Sequence, residues 1–387
     1  MKQQARLTGF GGYSVAGMEQ TQLSKTDSRI YGLDALKILS MVYVVILHSV
    51  GMGGVIFASK GSASHILIMV LFLWTQCAVN IFALVTGYVS YTDKPKKLNR
   101  KRIFDMWFQV VFYGLVITSI CFFLFPGKIT SKDFLCSAVP LFSNEYWYYT
   151  AYFIVYLMSP FINAAVRSLP EVTLRKTVAA VIIVFSFFSI FANSLGIVQP
   201  FSFTWVFVLY FLGAAIRKCR IGEKISNLKL ICCIVVCVIL SLCWYMVMKE
   251  TSFLNSTWDE ELLSKYISPT MLISAICHLL IFRRIRTLKG LDKVLRFMSP
   301  CVFATYLINA HPIVYLNVMY DAFVPLTNLN VFLTVLFILL FAVVFVICSC
   351  LIDKLRQILF KVIRLDKFSG LLAKLSDKIV DTVSSRF

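Results

Sequence analysis

The stretch that decides the fold is Ile30–Phe57, IYGLDALKILSMVYVVILHSVGMGGVIF. It is apolar over a length that crosses a bilayer, yet it contains Lys37 and, eleven residues later, His48. Eleven helical steps of about 100° return to within roughly 20° of the starting direction, so both side chains lie on one face, about 16 Å apart along the axis. Ionisable groups inside a membrane are costly and usually functional. The helix is therefore expected to line a polar cavity.

The composition places the chain among multi-pass membrane proteins. Apolar residues make up 59% of the 387 residues and charged residues only 15%, whereas soluble domains are about 45–50% apolar. Ten apolar runs have roughly the length of a membrane span, the eighth being the shortest: Leu33–Phe57, Ile66–Ser90, Phe104–Phe125, Tyr146–Val166, Thr177–Leu195, Pro200–Ile216, Leu230–Met248, Ser268–Phe282, Pro300–Asp321 and Asn330–Ile352. We therefore expect an all-α transmembrane bundle of about ten spans.

The distribution of positive charge sets the expected orientation. If the N-terminus is cytoplasmic, 32 of the 38 Lys and Arg residues fall in the N-terminal arm, the even-numbered loops and the C-terminal tail, and five fall in the odd-numbered loops. The positive-inside rule produces this asymmetry. Both termini are thus expected in the cytoplasm, and the net charge of +19 reflects contact with the lipid bilayer rather than nucleic-acid binding.

Three segments are predicted along the chain. Residues 1–29 form a polar arm without the apolar core of a signal peptide, residues 30–352 form the transmembrane domain, and residues 353–387 form a basic tail. Apolar residues with helical spacing recur in the tail at Leu355, Ile358, Leu359, Val362 and Ile363. The pattern favours an amphipathic helix on the cytoplasmic membrane surface, with a solvated basic helix as the alternative.

The cysteines and histidines do not predict a metal site. Most of the 12 cysteines lie within apolar runs, where small packing residues are common. No two CxxC motifs face each other, and the four histidines show no HExxH spacing. We expect no metal and no tightly bound cofactor.

Four motifs are similar to those of a known family. Lys37, ten residues and His48 resemble an Arg-x10-His signature in the opening helix, with Lys in place of Arg. The run Val79–Tyr88, followed by the basic loop Lys94–Arg102, resembles the second helix and the loop after it. Tyr146–Asn163 is similar to a Trp-Phe/Tyr segment that leads into a Pro-terminated helix.

The fourth motif is Thr305–Pro312, which resembles a late Tyr-Leu-Ile-His element. Together the motifs span roughly residues 30 to 350 and resemble the acyltransferase-3 family of integral membrane acyltransferases. Two positions depart from the family pattern. Lys37 lacks the bidentate fork of Arg, and Asn309 replaces the usual His. His311 follows two residues later, which is about 200° around a helix from Asn309, so it cannot simply take over that position.

The resemblance implies an O-acyltransferase of the polysaccharide O-acetyltransferase type, in a plasma membrane of bacterial type. Its co-substrate would be cytosolic acetyl-CoA or another acyl-CoA. Its acceptor would be a hydroxyl of a cell-surface polysaccharide or of a lipid-linked precursor. A secondary transporter or flippase is the alternative, since buried polar residues on many helices also suit a transport path.

Candidate residues for the donor side follow from the motifs. His48 suits a general base, because imidazole is matched to proton transfer near neutral pH; its alternative role is helix packing. Lys37, the second catalytic candidate, would contact the phosphates or the pantetheine arm, unless it snorkels to lipid headgroups. Asp34 would orient Lys37, and Arg100 and Arg102 would bind the phosphates of CoA.

Other polar and aromatic residues are candidates for the acceptor side. Polar groups at matched depth either line one cavity or bond helices together, and aromatic residues at a helix start either form an interfacial belt or stack on a sugar. The residues assigned to acceptor binding are Asn80, Glu145, Trp147, Tyr306, Asn309 and His311.

The charge pattern predicts which loops external reagents can reach. In a variant without native cysteines, single cysteines in residues 94–102 and 283–296 should resist a membrane-impermeant thiol reagent in intact cells. Single cysteines in residues 251–262 should react. Labelling of the 94–102 loop from outside would reverse the orientation and with it the cytosolic supply of the donor.

Overall fold

The computed structural model describes residues 29–143, 145–191, 198–250 and 259–384. Within these ranges the chain consists of helices and connecting turns without β-strands, which confirms the expected all-α class. Apart from Arg29, the predicted N-terminal arm lies outside the described residues. The main helices are α1 (Tyr31–Val50), α2 (His65–Thr75), α3 (Ala78–Ser90), α4 (Arg100–Leu124), α5 (Trp147–Ser168), α6 (Glu171–Ile182), α7 (Phe203–Lys218), α8 (Asn227–Glu250), α9 (Pro269–Phe282), α10 (Asp292–Met298), α11 (Phe303–Asn309), α12 (Pro312–Asn317), α13 (Val331–Val362) and α14 (Leu365–Ser384).

Shorter elements fill the connections. They are Val55–Ala58, Ser131–Ala138, Pro140–Ser143, the π-helical turn Ile183–Phe188, Ser189–Phe191 and the 3₁₀ turn Val324–Asn328.

Six helical stretches in the described chain are long and apolar enough to cross a membrane. They are Tyr31–Val50, His65–Ser90, Arg100–Leu124, Trp147–Ser168, Asn227–Lys249 and Val331–Val362. The other four predicted spans correspond to shorter or interrupted helices. These are α6 with the π-helical turn after it, the 16-residue α7, the 14-residue α9, and the pair α11 and α12.

Helix α1 is enclosed by the other helices. More than half of its apolar window is buried, the largest share among the six long stretches, whereas α13 is mostly exposed. α1 packs against α3, α9, α11 and α13. This enclosure keeps the polar residues of α1 away from lipid, as the cost of charge in hydrocarbon requires.

A close helix contact joins α3 to α7 through two glycines. A Cβ atom on Gly87 would lie 2.0 Å from the backbone oxygen of Tyr210, and one on Gly213 would lie 2.1 Å from that of Leu84. Small residues allow such close backbone approach between membrane helices. The contact fixes α3, which supplies several walls of the cavities described below, against α7.

A break between α11 and α12 interrupts the ninth predicted span. α11 ends at Asn309, and α12 begins at Pro312, whose ring fits only the first turn of a helix. The Nδ1 atom of His311 accepts a hydrogen bond from the backbone N–H of Ile313 at 3.3 Å and so caps α12. Asn309 and His311 therefore lie at the break, where their side chains point in different directions.

The predicted tail begins inside α13. Residues 353–362 continue this helix without a break to Val362. The chain turns at Arg364, whose φ of 60° is left-handed and ends the helix. The amphipathic helix of the tail is α14, which packs along α4 with the rings of Phe108 and Phe368 5.9 Å apart. The surface position predicted for residues 355–363 stays a prediction, since an apolar helical stripe is equally typical of the end of a transmembrane helix.

The glycine contact predicts a local loss of stability. Gly213→Ala should lower the thermal unfolding temperature of the detergent-purified protein, because overpacking of this kind costs about 1–3 kcal/mol. Gly370→Ala is the matched control, since nothing lies within 4 Å of its added Cβ and alanine favours a helix. Equal unfolding temperatures for Gly213→Ala and the unmodified protein would contradict the close contact.

Candidate active site

A large cavity lies at the end of α1 that carries Lys37. Its volume is about 650 Å³, and its walls come from α1, α3, α4, α5, α7 and α11. The charged residues that line it are Arg29, Asp34, Lys37, Arg102 and Arg217. We call this cavity the basic vestibule. Four cations and one carboxylate suit a ligand that carries several phosphates.

The basic vestibule joins segments that the charge pattern assigns to the cytoplasmic side. Arg29 precedes α1, Arg102 lies in the first turn of α4, and Arg217 lies in the last turn of α7. Ser299 and Pro300, between α10 and α11, also line the cavity. The four segments are distant in sequence and meet only through the packing of the helices.

Asp34 contacts Arg29 and Ser299 more closely than it contacts Lys37. Its Oδ2 atom is 2.7 Å from Nε of Arg29, and its Oδ1 atom accepts a hydrogen bond from the Ser299 hydroxyl at 2.6 Å. Nζ of Lys37 is 3.9 Å from Oδ1 of Asp34, which is a looser contact. The ammonium of Lys37 is therefore available to an anion that enters the basic vestibule.

Aromatic rings hold the two arginines that approach from α4 and α7. The Arg102 guanidinium lies 5.4 Å from the ring centre of Tyr156 and donates to the Tyr152 hydroxyl at 3.4 Å. The Arg217 guanidinium lies 5.5 Å from the ring centre of Tyr88 and donates to its backbone oxygen at 3.0 Å. A guanidinium has five N–H donors, so these contacts leave donors for a phosphate.

Arg100, also assigned to donor binding, has partners outside the basic vestibule. Its guanidinium donates to the backbone oxygen of Ser376 at 2.5 Å and lies 3.0 Å from the Asp377 carboxylate. Both partners belong to α14. Arg100 is not among the described residues that line the cavity, and a role in binding CoA stays a prediction.

A second, smaller cavity surrounds the other polar residue of α1, His48. Its volume is about 50 Å³. We call it the His48 chamber; its lining residues are Met41, Val44, Leu47, His48, Ala78, Val79, Phe82, Trp147, Tyr148, Tyr266, Tyr306 and Ala310. Phe82 lines both cavities, so the chamber adjoins the basic vestibule.

Aromatic contacts form the boundary between the two cavities. The Phe82 ring packs edge-on against Tyr148, with 5.9 Å between ring centres. Tyr148 in the chamber stacks on Tyr152 in the vestibule, and Tyr306 in the chamber stacks on Phe303 in the vestibule. We call these five residues the aromatic neck.

Asn309 orients His48 through a hydrogen bond. The Nδ1 atom of His48 is hydrogen bonded to Oδ1 of Asn309, and the His48 ring packs edge-on against Tyr315 at 4.9 Å. An amide oxygen only accepts hydrogen bonds, so Nδ1 carries the proton and Nε2 keeps its lone pair. A neutral imidazole in this tautomer can take a proton through Nε2.

The break between α11 and α12 positions Asn309. The Tyr146 hydroxyl donates to the backbone oxygen of Leu307 at 3.1 Å, and this bond ties α11 to the start of α5. On the other side of the break, Nε2 of His311 is 3.5 Å from Oε1 of Glu145 and 3.4 Å from the backbone oxygen of Gly114. These contacts hold the chain on both sides of Asn309.

Glu145 and His311 therefore meet each other, and neither is among the described residues that line the vestibule or the chamber. Ser137 donates a hydrogen bond to Oε1 of Glu145 at 3.0 Å. Burial raises the pKa of the Glu145 carboxyl. The pair anchors the broken helix against the segment before α5. The predicted role of both residues in acceptor binding has no direct counterpart in these contacts and stays a prediction.

Asn80 bonds helices together. Its Nδ2 atom donates to the backbone oxygen of Tyr266 at 2.7 Å, and its Oδ1 atom accepts from the Trp205 indole at 2.9 Å. The side chain is fully buried. Trp147 and Tyr306, by contrast, line the His48 chamber. Asn80 acts on the chamber by holding Tyr266 in place.

The comparison with protein families bears on this arrangement. The acyltransferase domain model of the acyltransferase-3 family matches residues 30–354. The chain belongs to the acyltransferase-3 family. No curated protein and no solved structure matches the chain. It is therefore a membrane acyltransferase, and its two cavities share helix α1, which carries the family's opening motif.

Several residues of this acyltransferase site escape sequence reasoning. Arg29, Arg217 and Tyr152 line the basic vestibule, and Tyr266 lines the His48 chamber. Arg217 carries a partial signal, because it is a cation at the predicted cytoplasmic end of a span. Tyr266 carries none, since an aromatic residue in a loop is common on any surface.

The loose pairing of Lys37 predicts a role in binding the donor. Lys37→Met should weaken acetyl-CoA binding by about 10- to 100-fold, the equivalent of a charge-assisted hydrogen bond. Lys37→Arg should keep most of the affinity, because it retains the cation. The measurement is the dissociation constant for acetyl-CoA in detergent.

Arg100→Met serves as the comparison for this loss, because it removes a nearby cation whose partners are in α14. A loss as large as that of Lys37→Met would bring Arg100 into donor binding. Unchanged affinity in Lys37→Met would leave contact with lipid headgroups as the remaining role for Lys37.

Proposed function

We propose that this membrane acyltransferase moves an acetyl group from cytosolic acetyl-CoA to a hydroxyl of a cell-surface polysaccharide or its lipid-linked precursor, in the plasma membrane. The observation that carries the proposal is the adjacency of the two cavities. A basic vestibule of about 650 Å³ adjoins a small chamber that holds His48, and Phe82 belongs to both.

The basic vestibule supports a CoA donor. Phosphates would meet Lys37, Arg102 and Arg217, and guanidinium groups suit them because they bind phosphate with two parallel donors. Lys37 and His48 are separated by about 16 Å along α1, a span that an extended pantetheine arm covers. The thioester would then reach the His48 chamber through the aromatic neck.

The size of the chamber supports acetyl as the transferred group. At about 50 Å³ the chamber is far smaller than the basic vestibule, at about 650 Å³. A small acyl group such as acetyl suits this space better than a long acyl chain does. Bulky side chains, including Met41, Leu47 and Phe82, close the walls.

His48 supplies the base for the transfer. Nε2 takes the proton of the acceptor hydroxyl while the hydroxyl oxygen bonds to the thioester carbon. The carbon–sulfur bond then breaks, and the leaving thiolate takes the proton from the imidazolium, so that the products are the acetyl ester and free CoA. Asn309 holds the neutral imidazole with Nε2 free to take this proton, and its oxygen still accepts from Nδ1 in the imidazolium.

The aromatic wall supports a carbohydrate acceptor. Trp147 and Tyr266 line the chamber and stack on each other, with 6.5 Å between ring centres and an interplanar angle of 19°, so a sugar would pack on the aromatic surface that this pair leaves towards the chamber. Aromatic faces bury large apolar surfaces, and sugar rings present apolar faces that pack on them. This matches the acceptor class that the resemblance implies.

The proposal predicts a mass difference in the surface glycan. Glycan from cells that make the protein should be heavier by whole acetyl units than glycan from cells without it. His48→Gln should reduce the rate of acetylation by about 10²- to 10⁴-fold, the usual contribution of a general base, and bring the acetylated fraction near the detection limit. The measurement is mass spectrometry of the isolated glycan, with membrane levels of each variant verified in parallel.

A matched histidine variant separates catalysis from packing. His278 is buried, its Nδ1 atom bonds the Ser274 backbone oxygen at 2.8 Å, and its ring packs against Tyr43 and Trp74. His278→Gln should acetylate the glycan within a few-fold of the unmodified protein. A correctly inserted His48→Gln protein with the same activity would refute the proposed base.

A further inference from the structure

Two adjacent tyrosines at the start of α5 bury hydroxyl groups without partners. In the described part of the chain, neither Oη of Tyr148 nor Oη of Tyr149 has a hydrogen-bond partner. Both side chains are buried, with relative exposures of 3% and 0%. A buried polar group that lacks a partner costs about 1–3 kcal/mol, so each of these hydroxyls calls for a physical explanation.

The two tyrosines differ in what surrounds them. Tyr148 lines the His48 chamber, whereas Tyr149 is not among the described residues that line either cavity. The Tyr149 ring packs edge-on against Phe153 within the same helix, at 5.9 Å. Of the chamber-lining side chains in the described ranges, Tyr148 is the one with a buried polar atom that lacks a partner.

Packing fixes the orientation of Tyr148. Its backbone N–H donates to the Tyr306 hydroxyl at 3.2 Å. Its ring stacks on Tyr152 at an interplanar angle of 16° and packs edge-on against Phe82 and Tyr306. A donor held in this way loses little freedom when an acceptor arrives, as electrostatic stabilisation of a transition state requires.

We propose that the Tyr148 hydroxyl donates a hydrogen bond to the carbonyl oxygen of the thioester as that oxygen becomes negatively charged. The inference rests on the proposed function. When the acceptor oxygen bonds to the thioester carbon, the carbonyl π electrons move to the oxygen, and Tyr148 stabilises the charge while keeping its own proton. The electrons return as the carbon–sulfur bond breaks, and the proton on His48 passes to the thiolate. Tyr148 is thus a catalytic residue alongside His48.

Conservative substitutions at the two tyrosines test the inference. Tyr148→Phe removes one oxygen atom that has no partner in the fold, so the protein should fold as before. Its kcat should fall by about 10²- to 10³-fold, as for loss of one oxyanion donor, while its KM for acetyl-CoA should stay within a few-fold. Tyr149→Phe removes the equivalent oxygen away from the chamber and should leave both constants within a few-fold.

The outcomes distinguish this inference from the proposed function. If the unmodified protein does not transfer acetyl from acetyl-CoA, the proposed function fails. If it does, and Tyr148→Phe is as active as Tyr149→Phe, only the role of Tyr148 fails. A rise in KM without a fall in kcat would likewise contradict an oxyanion donor and indicate a role in holding the substrate.

A second substitution guards against a packing effect in Tyr148→Phe. Fluorinated tyrosines at position 148 keep the size of the ring and make the hydroxyl a progressively stronger donor. The value of kcat should change with donor strength along the series, while the unfolding temperature stays constant. A constant kcat across the series would overturn the proposal.

Discussion

The exclusion of water from the bilayer is the constraint on which this structure depends. Helix α1 has the length of a membrane span and carries Asp34, Lys37 and His48, groups that hydrocarbon cannot solvate. The remaining helices solve this problem by surrounding α1. Asp34 is satisfied by Arg29 and Ser299, and His48 by Asn309. The cavities that adjoin α1 follow from the same enclosure, since polar groups kept from lipid need polar partners or space for a ligand.

Sequence reasoning identified the parts of the site that have a local signal. Lys37 and His48 stand out because a charged or titratable group in an apolar helix is rare, and the helical period places them on one face. The all-α class followed from apolar length alone. Six long helical stretches match predicted spans, whereas the interrupted pair α11 and α12 reads as one apolar run, because a proline within such a run is compatible with a kinked helix as well as with a break.

The remaining residues depend on tertiary contacts that no local pattern contains. Arg100 and Arg102 form one basic cluster in the sequence, yet side chains two positions apart in a helix point about 200° away from each other. One therefore faces the basic vestibule and the other pairs with α14. Asn309 is unremarkable as a residue type, and its importance comes from the contact with His48 on a helix 261 positions away in the chain.

The lining of the His48 chamber bears on competition between the acceptor and water. Most of the side chains that line it are apolar or aromatic, and a buried water molecule needs several polar partners to be held in place. On the proposed chemistry, a hydrolytic water would therefore be held poorly next to the thioester, whereas an acceptor that binds the aromatic wall would bring its hydroxyl to His48. The donor would survive until an acceptor is bound, and little acetyl-CoA would be lost to futile hydrolysis.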